Sequence, residues 1–330
     1  MALSIAIVGA GAIGGAVAYS LAEAGLAPTV IARGDSLAAI RRDGLRVERP
    51  EGGGTVQVAV TDDPASLGPQ DLVIGTMKAQ DWPGARPVIA PLIGPETALV
   101  PAINGVPWWY FDGIGGRLAG QHIEAVDPGG ALLAALPGRV VVGAVVYMGA
   151  VRDAPGRVRW TSGNRFVIGE ACGAARERTE RVAGALREAG FAVAVTPDIR
   201  SAIWAKLLGN ATFNPLSVVA RARVDEIMDD PGLARIALTA MHEVAAVAAA
   251  VGAPPAMPVP ERFAMNAELG AFRTSTLQDY EAGRALELGG LVEAVVEIAA
   301  RLEIAAPMTE ALGALARRAA ALRDAGQART

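Results

Sequence analysis

Cysteine and histidine are nearly missing from this chain: of 330 residues, only Cys172 is a cysteine and only His122 and His242 are histidines. One thiol excludes an intrachain disulfide and fits a reducing compartment. His242-Glu243 does not open a zinc-protease helix, because position 246 is Ala and not a second histidine. No metal role is expected. Charge is also sparse, with 19% charged residues and a net charge of −4. Arg41-Arg42 is only a pair, so no basic stripe is offered to nucleic acid. Long apolar runs are missing too, although 52% of the residues are hydrophobic. Residues 140–151, among the longest apolar stretches, are broken by two glycines and fall short of the ~20 residues that span a bilayer. The start of the chain carries no basic region or small-residue cleavage site, so residues 5–17 read as strand, loop and helix and not as a signal peptide. Neither a membrane nor a nucleic-acid partner is expected, and the expected location is cytoplasmic.

What the opening does contain is a glycine-rich turn between a strand and a helix. Ile5-Ala6-Ile7-Val8 runs into Gly9-Ala10-Gly11-Ala12-Ile13-Gly14, a G-x-G-x-x-G loop, and residues 12–24 then read as helix. In such a loop the first glycine allows the tight turn. The second lets backbone approach a pyrophosphate, and the third lets helix and strand pack closely. The helix start adds free N–H groups and a partial positive charge. Gly9, Ala10, Gly11, Ala12, Ile13 and Gly14 are therefore the expected cofactor loop. A second apolar strand, 28–32, ends at Arg33. A carboxylate there would read the ribose of NAD, whereas an arginine accommodates the extra phosphate of NADP. The predicted cofactor is NADP(H), and Asp35 is read as the cap of a helix starting near Leu37.

The first half of the chain alternates. Strand-like runs at 4–8, 28–32, 55–60, 71–75, 97–103, 139–149 and 165–169 are separated by helical stretches and Gly/Pro-rich loops. A helix at 175–189 and a strand at 191–195 follow. This pattern predicts a Rossmann-like, doubly wound α/β domain with a parallel sheet. Beyond Asp198 only helical periodicity remains, punctuated by Pro231, Pro254-Pro255, Pro258, Pro260 and Pro307. The expected division is an α/β domain over 1–197 and an all-α domain over 198–330. A substrate is expected in a cleft between two such domains.

The helical half begins with Lys206, Asn210 and Asn214 at i, i+4 and i+8, one stripe on an otherwise apolar helix. Burying an ammonium and two amides is costly unless something pairs with them. Two readings stay open: a bound carboxylate and carbonyl, or a snorkelling lysine with two amides at a wet surface. Ser275 either caps the next helix or faces a ligand, and Glu287 either serves a first turn or a site. Lys78 and Asn104 follow the strands at 71–75 and 97–103, at the ends where open α/β sheets bind ligands.

Taken together, these pieces resemble the ketopantoate reductases (2-dehydropantoate 2-reductases) over nearly the full length. In order they are Gly9-x-Gly11-x-x-Gly14, Arg33-Gly34, Lys78-Ala79-Gln80, Asn104-Gly105, Trp204-x-Lys206-x-x-x-Asn210-x-x-x-Asn214-Pro215-Leu216, Ser275-x-Leu277-Gln278-Asp279 and Glu281-x-Gly283-Arg284-x-x-Glu287. The resemblance implies NADPH-dependent reduction of a 2-oxo acid to a 2-hydroxy acid, in pantothenate biosynthesis. It implies that Lys206 is the general acid and that Glu287 holds the substrate hydroxyl. Asn104, Asn210, Asn214 and Ser275 are similar to the substrate-binding residues, and Lys78, Asn104 and Glu287 to residues facing the cofactor. The chain departs from the family pattern in three respects: after Glu287, Gly289 replaces an acidic residue and Val292-Glu293 an Asn-Gly; Val106-Pro107-Trp108-Trp109-Tyr110 is unusually aromatic; and Thr276 stands where an apolar residue is commoner. The Trp pair packs a core, lines a pocket for a bulkier or aromatic 2-oxo acid, or covers an interface. The other open reading is an NADP(H)-binding regulator without turnover. A homodimer is compatible with the apolar helical half.

Overall fold

The computed structural model describes residues 3–173 and 177–327, and the chain forms two compact units. The first unit comprises the chain through Ile103 together with Trp109–Ile114 and Ala131–Ile199. The second comprises Asn104–Trp108, Gly115–Gly130 and the chain from Arg200 onward.

The first unit is built on a five-stranded, wholly parallel sheet. Strands β1 (Ile5–Val8), β2 (Thr29–Ile31), β5 (Ala59–Thr61), β6 (Leu72–Gly75) and β7 (Ala98–Pro101) lie in the order β5-β2-β1-β6-β7. Every residue of β1, β6 and β7 is buried, which is why these strands read as unbroken apolar runs and not as alternations. Between the strands run α1 (Ala12–Glu23), α2 (Gly34–Asp43) and α3 (Trp82–Ile89). The chain leaves β1 on one side toward β2 and returns on the other at β6, so the reversal falls beside β1, at the end carrying the glycine loop.

A second sheet was not legible as one. Strands β3 (Leu45–Arg49), β4 (Gly52–Val56), β9 (Arg157–Glu170) and β10 (Ala192–Val195) lie in the order β10-β9-β3-β4, and β8 (Val142–Ala154) pairs with β9 as a long antiparallel hairpin. The run expected at 55–60 is thus divided between the end of β4 and β5. The two sheets enclose α1: Ile7, Val17, Leu21, Leu45, Val146, Val158, Trp160 and Phe166 belong to one buried cluster. A Cβ on Gly15 would stand 2.7 Å from Val158 Cγ2, so the bare glycine sets that approach. The short α4 (Ala131–Ala135) and α5 (Glu177–Glu188) complete the unit.

The α2 boundary corrects one expectation. The helix begins at Gly34 with Arg33 as its extended N-cap residue, and Asp35 lies inside the first turn, where a carboxylate favours the dipole without capping.

In the second unit all regular structure among the described residues is helical: α6 (Ile199–Ala220, entered at Ile199 from the first unit), α7 (Val224–Asp229), α8 (Pro231–Ala250), α9 (Val259–Ala264), α10 (Ser275–Glu281), α11 (Ala294–Arg301) and α12 (Pro307–Gln327). Helix α8 starts as its sequence dictates. Pro231 sits at the first position, and the Asp230 carboxylate accepts from Gly232 N at 2.7 Å and Leu233 N at 2.9 Å. By length and composition α8 could cross a membrane. Here it packs against α7, α9, α11 and α12, and its Glu243 carboxylate accepts from Met308 N and Thr309 N at the start of α12.

Candidate active site

The glycine loop after β1 is held by one residue that sequence reasoning missed. Thr76, just beyond β6, donates its hydroxyl to Gly9 O at 2.9 Å, and its N–H donates to Val8 O at 2.9 Å. Gly9 has φ +105°, in the left-handed region where a side chain is strained. A Cβ on Gly14 would lie 2.0 Å from Gly9 O, so helix and strand meet at a distance only glycine permits. Gly11 differs, because a Cβ there would meet nothing within 4 Å. Helix α1 has no side-chain cap at Gly11, so the N–H groups of its first turn, at Ala12 and Ile13, are left to solvent or a ligand. Ala10 lies within the loop. At the end of β2, Arg33 is exposed and makes no hydrogen bond or ion pair among the described residues. Lys78 is half-buried and precedes a tight turn over Ala79–Asp81. A hydrogen-bonding helix start, an open glycine surface and an unengaged guanidinium fit a phosphorylated dinucleotide.

The second unit holds the ammonium. Lys206 lies on α6 and donates from Nζ to Asn104 Oδ1 at 2.7 Å, joining residues 102 apart in sequence. Burial pushes its pKa down from 10.5 to about 8, and the nearby Glu287 carboxylate opposes the shift. The Asn104 segment is seated on the chain that follows Glu287. Val106 N donates to Gly290 O at 2.9 Å. Gly105 has φ +87°, and a Cβ there would lie 2.2 Å from the same carbonyl oxygen. A Cβ on Gly289 would lie 2.8 Å from Ala125 O. The glycine that replaces the family's acidic residue is therefore a packing requirement of this chain. Residues Gly289–Glu293 form a π-helical turn leading into α11, a distortion frequent at functional sites.

Asn210 and Asn214 continue the Lys206 face. Asn214 is only 5% exposed, yet neither amide side chain makes a hydrogen bond among the described residues. Their polar atoms are therefore open to solvent or to a polar ligand. Ser275 does not cap α10. That role belongs to Thr274, whose hydroxyl accepts from Leu277 N at 3.1 Å and lies 2.7 Å from the Ser217 hydroxyl, three residues beyond Asn214. Ser275 is the first residue of α10 and is exposed. Thr274 and Ser217 thus tie the start of α10 to the Asn214 end of α6.

Both tryptophans of the aromatic loop are buried, Trp108 at 2% and Trp109 at 1% exposure. The Trp109 ring lies 2.8 Å from where a Cβ on Gly143 would stand, a packing contact inside the first unit. Among the described residues no group of three or more His, Cys, Asp or Glu could hold a metal ion.

Comparison with known proteins identifies the family. Residues 5–173 match the family model of ketopantoate reductase PanE/ApbA, and residues 198–320 match that of its C-terminal part. A 2-dehydropantoate 2-reductase of Mesorhizobium japonicum is 40% identical over 319 residues, covering 96% of this chain and 98% of that one. The crystal structure of 2-dehydropantoate 2-reductase from Geobacter metallireducens superposes with a TM-score of 0.83 at 28% identity, covering 96% of this chain and all of that chain (100%). D-mandelate dehydrogenase, solved with NADH and anilino(oxo)acetate, gives a TM-score of 0.82 at 19% identity over 98% of this chain and 99% of its own, a likeness of fold.

Proposed function

The chain belongs to the ketopantoate reductase family of dinucleotide-dependent oxidoreductases acting on CH–OH donors, and from that premise we propose that it reduces 2-dehydropantoate to pantoate with NADPH. The observation that carries this reading is the Lys206 ammonium, held by Asn104 and tuned to a pKa of about 8. The reduced nicotinamide supplies the hydride when bound. Hydride addition to the ketone carbon turns the carbonyl oxygen into a developing alkoxide, and Lys206 Nζ gives that oxygen its proton. A cation at that point is worth more in the transition state than in the ground state. The neutral amine left behind regains its proton from solvent.

Glu287 has two tasks in this scheme: it holds the substrate hydroxyl, and its charge keeps the ammonium protonated. Asn104 fixes the direction of the Lys206 Nζ and faces both substrate and cofactor. Asn210, Asn214 and Ser275 supply the remaining hydrogen bonds to the substrate. Cofactor binding belongs to residues 1–197, with Gly9 to Gly14 on the pyrophosphate, Arg33 on the 2′-phosphate and Lys78 facing the cofactor and the active site, and substrate chemistry to residues 198–330 together with Asn104. The enzyme works in the cytoplasm. Burial of Trp108 and Trp109 in packing favours a compact aliphatic substrate over a bulky aromatic one.

The test is turnover. Purified protein with NADPH and a panel of 2-oxo acids should consume the reduced nicotinamide fastest with 2-dehydropantoate. No turnover with any member, despite tight NADPH binding, would replace this reading with that of a regulator. NADPH should bind about ten- to a hundredfold more tightly than NADH, the worth of one charge-assisted hydrogen-bonding group, and Arg33→Leu should abolish the difference. Equal affinities in the native protein would remove Arg33 from its role.

A further inference from the structure

Glu287 lies on neither a helix nor a strand. Residues 284–287 have no regular structure and link the end of α10 to the π-helical turn Gly289–Glu293. A side chain on an irregular segment is placed only as precisely as the supports beneath that segment allow. At both ends this segment meets α12.

Before Glu287, Arg323 of α12 reaches the end of α10. Its Nη1 donates to Tyr280 O at 2.7 Å and to Asp279 O at 3.4 Å, and its Nη2 donates to Arg284 O at 3.2 Å. The guanidinium lies 5.1 Å from the Tyr280 ring centroid and pairs with Asp324 at 2.6 Å, and the Arg323 side chain is only 10% exposed. A planar fork of donors suits several fixed carbonyls at once, which the single ammonium of a lysine does not. After Glu287, Gly313 of α12 meets the π-helical turn. Thr309, Leu312, Gly313 and Ala316 form a buried stripe at helical spacing. A Cβ on Gly313 would lie 2.8 Å from Cγ1 of the fully buried Val292. The same turn carries Gly290, whose carbonyl accepts from Val106 N in the segment that holds Asn104. We propose that α12 braces Glu287 from both sides, with Arg323 and Gly313 as positioning residues, an assignment that rests on the reading of Lys206 and Glu287 above.

Lys78 and Lys206 are the only lysines in the sequence, so in protein isotopically labelled at lysine an NMR titration follows Lys206 without turnover. In the native protein Glu287→Gln should lower the Lys206 pKa from about 8, because the carboxylate favours the ammonium. A double-mutant cycle measures how much of that step survives when a support is removed, and a hydration change common to both members cancels. In the Arg323→Gln and Gly313→Ala backgrounds the step should shrink by about half or more. Arg323→Lys should keep part of it, and adding Val292→Ala to Gly313→Ala, which restores the room, should bring it back. Glu170→Ala, in the first unit, controls for a general loss of stability and should leave the step whole. An undiminished step in both support variants, or an equal loss in Glu170→Ala, overturns the brace and leaves the coupling of Lys206 to Glu287 standing. No effect of Glu287→Gln in the native protein overturns the coupling and the brace with it.

Discussion

The lowered pKa of Lys206 makes the rate of reduction depend on pH in a defined window. Burial takes the group from 10.5 to about 8, a shift worth about 3 kcal/mol at 1.36 kcal/mol per unit. A general acid must carry its proton to act. With a pKa of about 8, about nine in ten molecules are competent at pH 7 and about one in ten at pH 9. For 2-oxo acid reduction at saturating NADPH, kcat/KM should be level below about pH 8 and fall about tenfold per unit above it. An unburied lysine would place that limb near 10.5. Glu287→Gln supplies the sign check: it removes the charge that favours the ammonium, so the limb should move to lower pH. Cofactor affinity measured at each pH separates this effect from titration elsewhere. The same shift has a stability counterpart. Between about pH 8 and 10.5 the unfolded chain binds the Lys206 proton more fully than the folded one, so this group's contribution to stability rises with pH across that window. A profile flat to pH 10, or a limb that moves upward in Glu287→Gln, would refute the reasoning.

Two contrasted glycine substitutions separate folding from cofactor binding. Gly14→Ala sets a Cβ 2.0 Å from Gly9 O and should lower the thermal midpoint together with NADPH affinity. Gly11→Ala places its Cβ in open space and should keep the midpoint while weakening NADPH, as calorimetry would show; unchanged affinity would exclude a pyrophosphate at Gly11. Away from the site, Glu170 and Arg178 form a buried pair, with side chains 1% and 8% exposed and Oε2 to Nη2 at 2.5 Å. Thr179 also donates to that carboxylate. Glu170→Ala strands the guanidinium and should cost about 3–5 kcal/mol in urea unfolding; a loss below about 1 kcal/mol, the scale of an exposed pair, would show that the pair is solvated.

The parallel sheet was legible because β1, β6 and β7 are covered on both faces, which leaves continuous apolar runs in the sequence. The second sheet was not. Strand β4 opens with Gly52-Gly53-Gly54, which has no side chains to alternate, and exposed polar residues fill the middle of β9. The cap of α10 was misplaced by one residue because neighbouring residues were equally suited to the role. Thr274 and Ser275 both carry hydroxyls, and backbone angles alone decide that Thr274, extended at φ −61° and ψ 153°, is the cap. The stripe of Lys206, Asn210 and Asn214 could be read from helical spacing. Its meeting with Asn104 could not, because that contact is tertiary and passes through Gly105 seated on Gly290. Thr76 escaped notice for the same reason: its role depends on Gly9, which stands opposite.

The central claim, that Lys206 delivers the proton to the reduced ketone, is tested most directly by Lys206→Ala assayed with saturating NADPH and 2-dehydropantoate. The account predicts a kcat at least about a hundredfold below that of the native enzyme, with NADPH binding unchanged. Near-native kcat in that variant would contradict it.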